Sequence, residues 1–539
     1  MMKKSLGFKA AGAFFAAASL GACGGGGGGS PSTVPTLPTA TVAPSAPVVT
    51  VDQSWLKLSP ASVDLITFQG EATSFKITAS AQQNFAGPIN VAIVDSVGVL
   101  AAAAKVQQVS NTSYTATMIT SAALSIGTHA SNLELRLCED SPLKCAKPVS
   151  GSPWYVPLRV TVRSPGNLTP LPVIASIPTW STYQGNAAHN AYVPASFDVS
   201  RFSRRWVLPH NAGATAAVHE NGRVFTTVYD LIENGMRTSR QYLIAHSEET
   251  GKELWRTYLG SYSFQTTSPP AAADGKIYFS TKDDEPNFWV VEQTTGAVLS
   301  KKKFYSQRQA NMAPTVLGGN VFTPTGYYRG MSMYSTVTNK LIWEMTQYPL
   351  DAVTPSVDAT HLYAVNDGTL FAMSVSDGKP AYDINAGAPA SGTASFTVPV
   401  LSGKQTAFAV SGSAVVCYDL ATRSVKWKSG QNVNSTPVVA KDVVYVLGAK
   451  GTVLEAYAAA DGALLWTSAP LAGNTIFRSI ILTDNVAFVS AGESTVALDL
   501  ASRKVVWTYP VGGSMSISNR GVLYIAGAGV NNFAVVNLQ

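Results

Sequence analysis

From about residue 180 to the C-terminus, short apolar runs alternate with turns bearing Gly, Asp, Asn and Thr, and the runs themselves repeat. The stretch EAYAAADGALLW, Glu455 to Trp466, returns as IAHSEETGKELW, MYSTVTNKLIW, FAMSVSDGKPAY, CYDLATRSVKW and ALDLASRKVVW. Aligned on the terminal aromatic, Trp255, Trp343, Tyr382, Trp427, Trp466 and Trp507 fall into register, with Ser300 as the one substitution, at intervals of 45, 43, 39, 45, 39 and 41. Ten residues before each anchor stand Ala245, Val290, Met333, Ala372, Cys417, Ala456 and Ala497. A constant offset across a turn predicts one hairpin used again and again.

A second row marks the other half of the unit. Phe225, Tyr278, Phe322, Tyr363, Phe408, Tyr445, Phe488 and Tyr524 each sit in an apolar run such as GRVFTT or DVVYVLG. There are eight of these and seven terminal anchors, because the chain stops at Gln539 before another anchor. The missing partner is Trp206 in RRWVLP, 49 residues before Trp255. This arithmetic predicts an all-β fold over 180–539: an eight-bladed β-propeller closed by its own N-terminal strand, a closure that removes exposed sheet edges.

Residues 48–163 follow a different pattern. SFKITAS, INVAIVD, SYTATMI, LELRLCE and YVPLRVTV read as strands separated by turn-rich pieces, and the segment's length and strand number predict an immunoglobulin-like β-sandwich. The Cys–Trp–Cys pattern of antibody domains is missing, so the expectation concerns architecture alone. Residues 164–179, SPGNLTPLPVIASIPT, read as a linker.

Composition narrows the function classes. The chain has 539 residues, 46% hydrophobic and only 13% charged. Its formal charge of +6 includes Lys3, Lys4 and Lys9 of a leader, leaving +3 without them, and the remaining basic residues are scattered. No electrostatic footprint for nucleic acid results. In that leader a basic start precedes an apolar run, Ala10 to Leu20, too short to span a bilayer, and LGAC follows. Leu20, Gly21, Ala22 and Cys23 resemble the lipobox of bacterial lipoproteins. The resemblance implies a signal peptide over 1–22, a lipid on Cys23 and, with Gly24 after it, an outer-membrane destination. Residues 23–47, rich in Gly, Pro, Ser and Thr, offer almost no apolar side chain for a core and read as a tether reaching on the order of 25–30 Å.

Cys138 and Cys145 flank a Ser-Pro turn, a geometry a disulfide would staple for about 2 kcal/mol; a metal pair is the competing reading, with no His nearby to complete it. Cys417 occupies an Ala slot of the repeat and reads as a small buried residue. The anchor tryptophans read as packing between blades. Of the six histidines, at 129, 189, 210, 219, 246 and 361, none forms a pair at metal spacing. Asp283 to Glu285 lack the alternating ligands and Gly of a calcium loop. Lys301 to Lys303 read as an exposed outer strand.

The repeat unit, seen as VLEAYAAADGALLW and ALDLASRKVVW, resembles the PQQ-type propeller repeat, and the lead-in WSTYQGNAAHNAYVP, Trp180 to Pro194, is similar to the phrase that precedes such propellers. Two branches share that repeat. Quinoprotein dehydrogenases bind PQQ and usually calcium; here there are no adjacent cysteines, no Cys-x-x-Cys-His and little insertion from which to build a cap. The other branch, BamB-type lipoproteins of the outer-membrane barrel assembly machinery, resembles this chain in lipobox, tether and ring. The resemblance implies a non-catalytic scaffold on the periplasmic face of the outer membrane, with envelope proteins as partners and no cofactor or metal. A surface-displayed binding or adhesion module is the alternative, and a PQQ-dependent dehydrogenase the more distant one.

Overall fold

The computed structural model describes residues 52–539 apart from 83–89, 111, 142–143, 209–212, 230–231, 234–235, 263–266, 282–286, 305–311, 326–329, 347–352, 388–395, 431, 449–451, 472–478 and 528–532. The leader, Cys23 and the tether lie outside the described residues. No described helix is long and apolar enough to cross a membrane.

The N-terminal part is two four-stranded sheets facing one core. Strands β1 (Leu56–Ser59), β3 (Ser74–Ala81), β6 (Ser113–Ile119) and β5 (Lys105–Ser110) form one sheet in that order. β2 (Val63–Phe68), β8 (Trp154–Arg163), β7 (Gly127–Cys138) and β4 (Asn90–Val94) form the other. β8 shows why they face each other: Trp154, Val156, Leu158, Val160 and Val162 are buried, while the residues between them are exposed or half-buried. With side chains alternating across the strand, that pattern commits one face to a core shared with Phe75, Ile77 and Met118 of the first sheet. Cys138, at the end of β7, is disulfide-bonded to Cys145.

The rest of the described chain is a β-propeller. Besides a two-stranded pairing of Ile232–Glu233 with Met236–Arg237, eight antiparallel sheets follow one another, the first seven with four strands in sequence order along the main path. The last takes three strands, Ser514–Ile517, Val522–Ala526 and Phe533–Asn537, from the C-terminus and its outer one, β9 (Ser203–Val207), from before the first sheet. Trp206 of β9 pairs with Val535.

The two aromatic rows are one row seen twice. Phe408 lies opposite Cys417, which lies opposite Trp427; Tyr363, Ala372 and Tyr382 line up likewise, as do Phe488, Ala497 and Trp507. A small residue in the third strand leaves room for a large ring on either side. The offset of ten is therefore cross-strand pairing over the outer hairpin, with a register shift just beyond the pair in each.

The sandwich and the propeller share a packed junction. Phe68 at the end of β2 is 4% exposed and belongs to the propeller's main apolar cluster, 5.5 Å from the ring of Tyr509. The buried guanidinium of Arg204, in β9, stands 4.1 Å over Phe68, pairs with Glu71 and donates through Nε to Pro165 O at 2.8 Å. Residues 164–172 are tied to the closing sheet: Asn167 N donates to Arg204 O, Asn537 Nδ2 to Asn167 O and Arg205 Nη1 to Thr169 O, at 2.8, 2.8 and 3.0 Å. The segment read as a linker from its Pro and Gly content is thus bonded along the edge of β9. Arg204→Ala removes the cation from both Phe68 and Glu71. We expect cleavage within 164–172 by a broad-specificity protease to accelerate several-fold in the full-length variant; equal cleavage rates would show that the junction does not depend on Arg204.

Candidate functional site

The repeat anchors lie where neighbouring sheets meet. Four tryptophans donate from Nε1 to a turn carbonyl of the following sheet: Trp206 to Glu248 at 3.2 Å, Trp255 to Gln293 at 3.0 Å, Trp343 to Val375 at 2.8 Å and Trp427 to Ala459 at 3.1 Å. Three residues beyond each acceptor comes a glycine with φ near +70°: Gly251, Gly296, Gly378 and Gly462. A Cβ on any of them would lie 2.5–2.6 Å from the indole it covers. Glycine is required there twice over, by its backbone and by the close approach. At two corners an arginine holds the corresponding positive-φ position, and its guanidinium lies over the preceding anchor: Arg423 at 4.5 Å from the Tyr382 centroid and Arg503 at 5.6 Å from that of Trp466. These aromatics are committed to neighbouring sheets. Trp507 differs, since its buried Nε1 has no hydrogen-bond partner.

The lead-in phrase threads past the first strands of successive sheets. Carbonyls of Trp180, Ser181, Ala187, Ala188, Asn190 and Ala191 accept from His219, Ala272, Val357, Leu401, Val439 and Leu482 at 2.8–3.3 Å. Thr182 Oγ1 donates to Pro314 O at 2.6 Å. His189 is fully buried; Nδ1 lies 2.5 Å from Tyr183 O, and Nε2 lies 2.9 Å from Pro355 O and 3.0 Å from Thr315 Oγ1. Segment Trp180–Ala191 therefore bonds to seven of the sheets, on or next to their early strands, with His189 a structural pin.

At the junction of the last sheet and the first lies a buried polar cluster. Glu248, 3% exposed, accepts from the Tyr524 hydroxyl at 3.2 Å and pairs with Arg520 at 3.4 Å; its carbonyl accepts from Arg205 Nε and Trp206 Nε1. Burial raises the Glu248 carboxyl above its ordinary range. His219 packs 4.2 Å from the Tyr524 ring, its Nε2 2.7 Å from Ser516 Oγ. Burial pushes its pKa down to about 3. The neutral ring in the fold and a protonated one in the unfolded chain, with a pKa of about 6.5, mean that stability falls as pH drops below that value, by up to about 1.4 kcal/mol per unit until roughly pH 3. Buried His189 acts in the same direction. His219→Gln is expected to lose less stability between pH 6.5 and pH 4 than the parent in urea titrations; an unchanged loss would place the acid sensitivity elsewhere.

The remaining candidates are dispersed. Cys417 is fully buried and its thiol is pushed up to about 12 by burial, a state that disfavours a nucleophilic thiolate. Lys301 to Lys303 lie on the outer strand Val298–Lys303, with Lys301 over Trp289 and Lys302 over Tyr334. Asp283 to Glu285 and His210 lie outside the described residues. Among the described residues the one group of three metal-type ligand atoms lying close together is Cys138, Asp140 and Cys145, two of which form the disulfide.

Beside their charged residues, the outer strands present exposed aliphatic side chains. Leu254, Val298 and Leu299, Leu341 and Ile342, Leu464 and Leu465, and Val505 and Val506 are 43–54% exposed, all within the three residues before an anchor position. Side chains of this kind repeated along sheet edges suit contact with other proteins. The cluster around Glu248 and Arg520 and the Arg204 junction escaped the sequence reading. Glu248 sits inside a turn whose visible signal is its glycine, and Arg204 and Arg205 stand beside a tryptophan that drew all the attention.

A family model described as outer membrane protein assembly factor BamB matches residues 195–301 and 381–530. No curated protein matches the chain. Among solved structures, the chain is similar to BamB from Moraxella catarrhalis, at 13% identity over 62% of this chain and 99% of that one, with a TM-score of 0.35. It is also similar to quinohemoprotein alcohol dehydrogenase from Comamonas testosteroni, at 13% identity over 60% of this chain and 78% of that one, with a TM-score of 0.42. Neither structural likeness bears on activity.

Proposed function

We propose that this chain, a BamB-like β-propeller of PQQ-type repeats, is a non-catalytic scaffold of the bacterial envelope, held at the outer membrane by a lipid on Cys23. Its most concrete task is to support the assembly of outer-membrane barrel proteins from the periplasmic face. The observation that carries this reading is the match of the BamB family model to two segments of the propeller. The exposed aliphatic residues on the outer strands supply surface suited to protein partners. The sandwich, fixed against the closing sheet, adds a second surface in a set orientation.

Deleting the protein should lower the amounts of several barrel proteins in the outer membrane. The wild-type chain restores them, and Cys23→Ser, which keeps the folded body but loses the anchor, does not. Normal barrel levels in the deletion strain would remove the assembly role. Loss of the protein when intact cells are treated with protease would replace it with surface display. Saturable quenching of tryptophan fluorescence by PQQ with calcium, accompanied by dye-linked turnover, would replace the scaffold with a dehydrogenase.

A further inference from the structure

The outermost strand of a sheet presents a row of unpaired N–H and C=O groups to which another chain can bond, and charged side chains are a common guard against it. Seven of the propeller's eight outer strands carry at least one charged residue, from the three lysines of Val298–Lys303 to the single Glu344 of Leu341–Glu344. The outer strand of the sixth sheet, Leu464–Thr467, carries none. Among the described residues it pairs on one side only, with Val453–Ala458, and Leu464 and Leu465 are 54% and 49% exposed.

The corner beside this edge offers donors without acceptors. Four anchor indoles donate from Nε1 to a turn carbonyl of the following sheet. Trp466, half-buried on the unguarded strand, makes no such bond among the described residues. The turn that faces it brings Arg503 instead, whose guanidinium stands 5.6 Å from the ring centroid, is exposed and pairs with no carboxylate among the described residues. An indole N–H and a guanidinium only donate, so what completes this corner is an acceptor, and at Arg503 an anionic one.

We infer that the free edge of Leu464–Thr467 takes an extended strand from a partner protein, with apolar side chains beside Leu464 and Leu465 and a carboxylate on Arg503. A lipid or small ligand lacks the alternating donors and acceptors that a sheet edge demands, whereas a second backbone supplies them and its side chains select the partner. The inference rests on the scaffold reading and names the edge through which that scaffold holds a partner.

The test is titration of the full-length protein in detergent into a dye-labelled peptide of alternating Val and Thr with Glu at both ends, followed by fluorescence anisotropy, with backbone hydrogen exchange measured at saturation. Saturable binding is expected, with exchange slowed at Leu464–Thr467. Leu465→Glu, which places a carboxylate at an exposed position of the edge, should weaken it at least about ten-fold, and Arg503→Asn several-fold. Ile342→Glu, the same kind of change on the third sheet's outer strand, should leave the affinity as in the wild type. Absence of saturable binding, equal weakening by Ile342→Glu, or unchanged exchange at Leu464–Thr467 would overturn the assignment. Normal barrel levels in the deletion strain with peptide binding intact would remove the assembly role and leave the edge standing; lowered barrel levels with no binding at this edge would remove the edge and leave the assembly role standing.

Discussion

Val535→Asp is expected to cost at least about 4 kcal/mol, enough to prevent the propeller from folding cooperatively at 37 °C. Val535 is fully buried, paired with Tyr524 on one side and Trp206 on the other, in the sheet that joins the two ends of the propeller segment. A carboxylate there must either shed its charge or pull β9 away from Phe533–Asn537. Phe533, Ala534, Val535, Val536 and Leu538 are all buried, so loss of that pairing exposes the cores of two neighbouring sheets together. Val535→Ala, which only leaves a small void, should cost about 2 kcal/mol. Hydrogen exchange distinguishes closure from ordinary core damage. In the Asp variant Ser203–Val207 and Phe533–Asn537 should lose protection together; loss at the C-terminal strand alone would mean that β9 does not close the ring.

The second large effect lies at the corners. Trp343→Ala should cost about 3–5 kcal/mol in chemical denaturation, the range for truncating a buried aromatic. Its ring is 9% exposed, donates to Val375 and is covered by Gly378. Gly378→Val should be comparably damaging by the opposite route, since φ is +70° and the new Cβ would start 2.5 Å from the indole. Trp466→Ala should cost clearly less. Trp466 is half-buried, and the facing corner offers Arg503 in place of a glycine. Equal losses at Trp343 and Trp466 would contradict the role given to the glycine corner.

How much of this was legible in the sequence depends on whether the feature leaves a periodic trace. The ten-residue offset from Cys417 to Trp427 survives in the sequence because the two residues face each other across a hairpin of nearly constant length. Trp206 was found by counting, since one row had a member more than the other. The glycine corners were expected as tight turns. The structure adds that each of the four glycines is also the surface on which the preceding sheet's tryptophan rests. What left no trace was built from single side chains or from backbone alone. Arg204 meets Glu71 across more than a hundred residues, and nothing in either neighbourhood repeats. The lead-in phrase binds seven sheets mostly through carbonyls, which every residue possesses, so its chemistry is invisible to composition. His219 stands in a short inner strand; only the fold shows that it packs on Tyr524, the residue whose hydroxyl donates to Glu248.

The scaffold reading is tested most directly by cross-linking the tagged full-length protein in intact cells and identifying by mass spectrometry what co-purifies from the envelope. Stoichiometric recovery of an outer-membrane barrel with periplasmic docking domains, dependent on Cys23, is expected. Recovery of a different envelope complex, or of the protein alone under conditions that capture known assemblies, would contradict it.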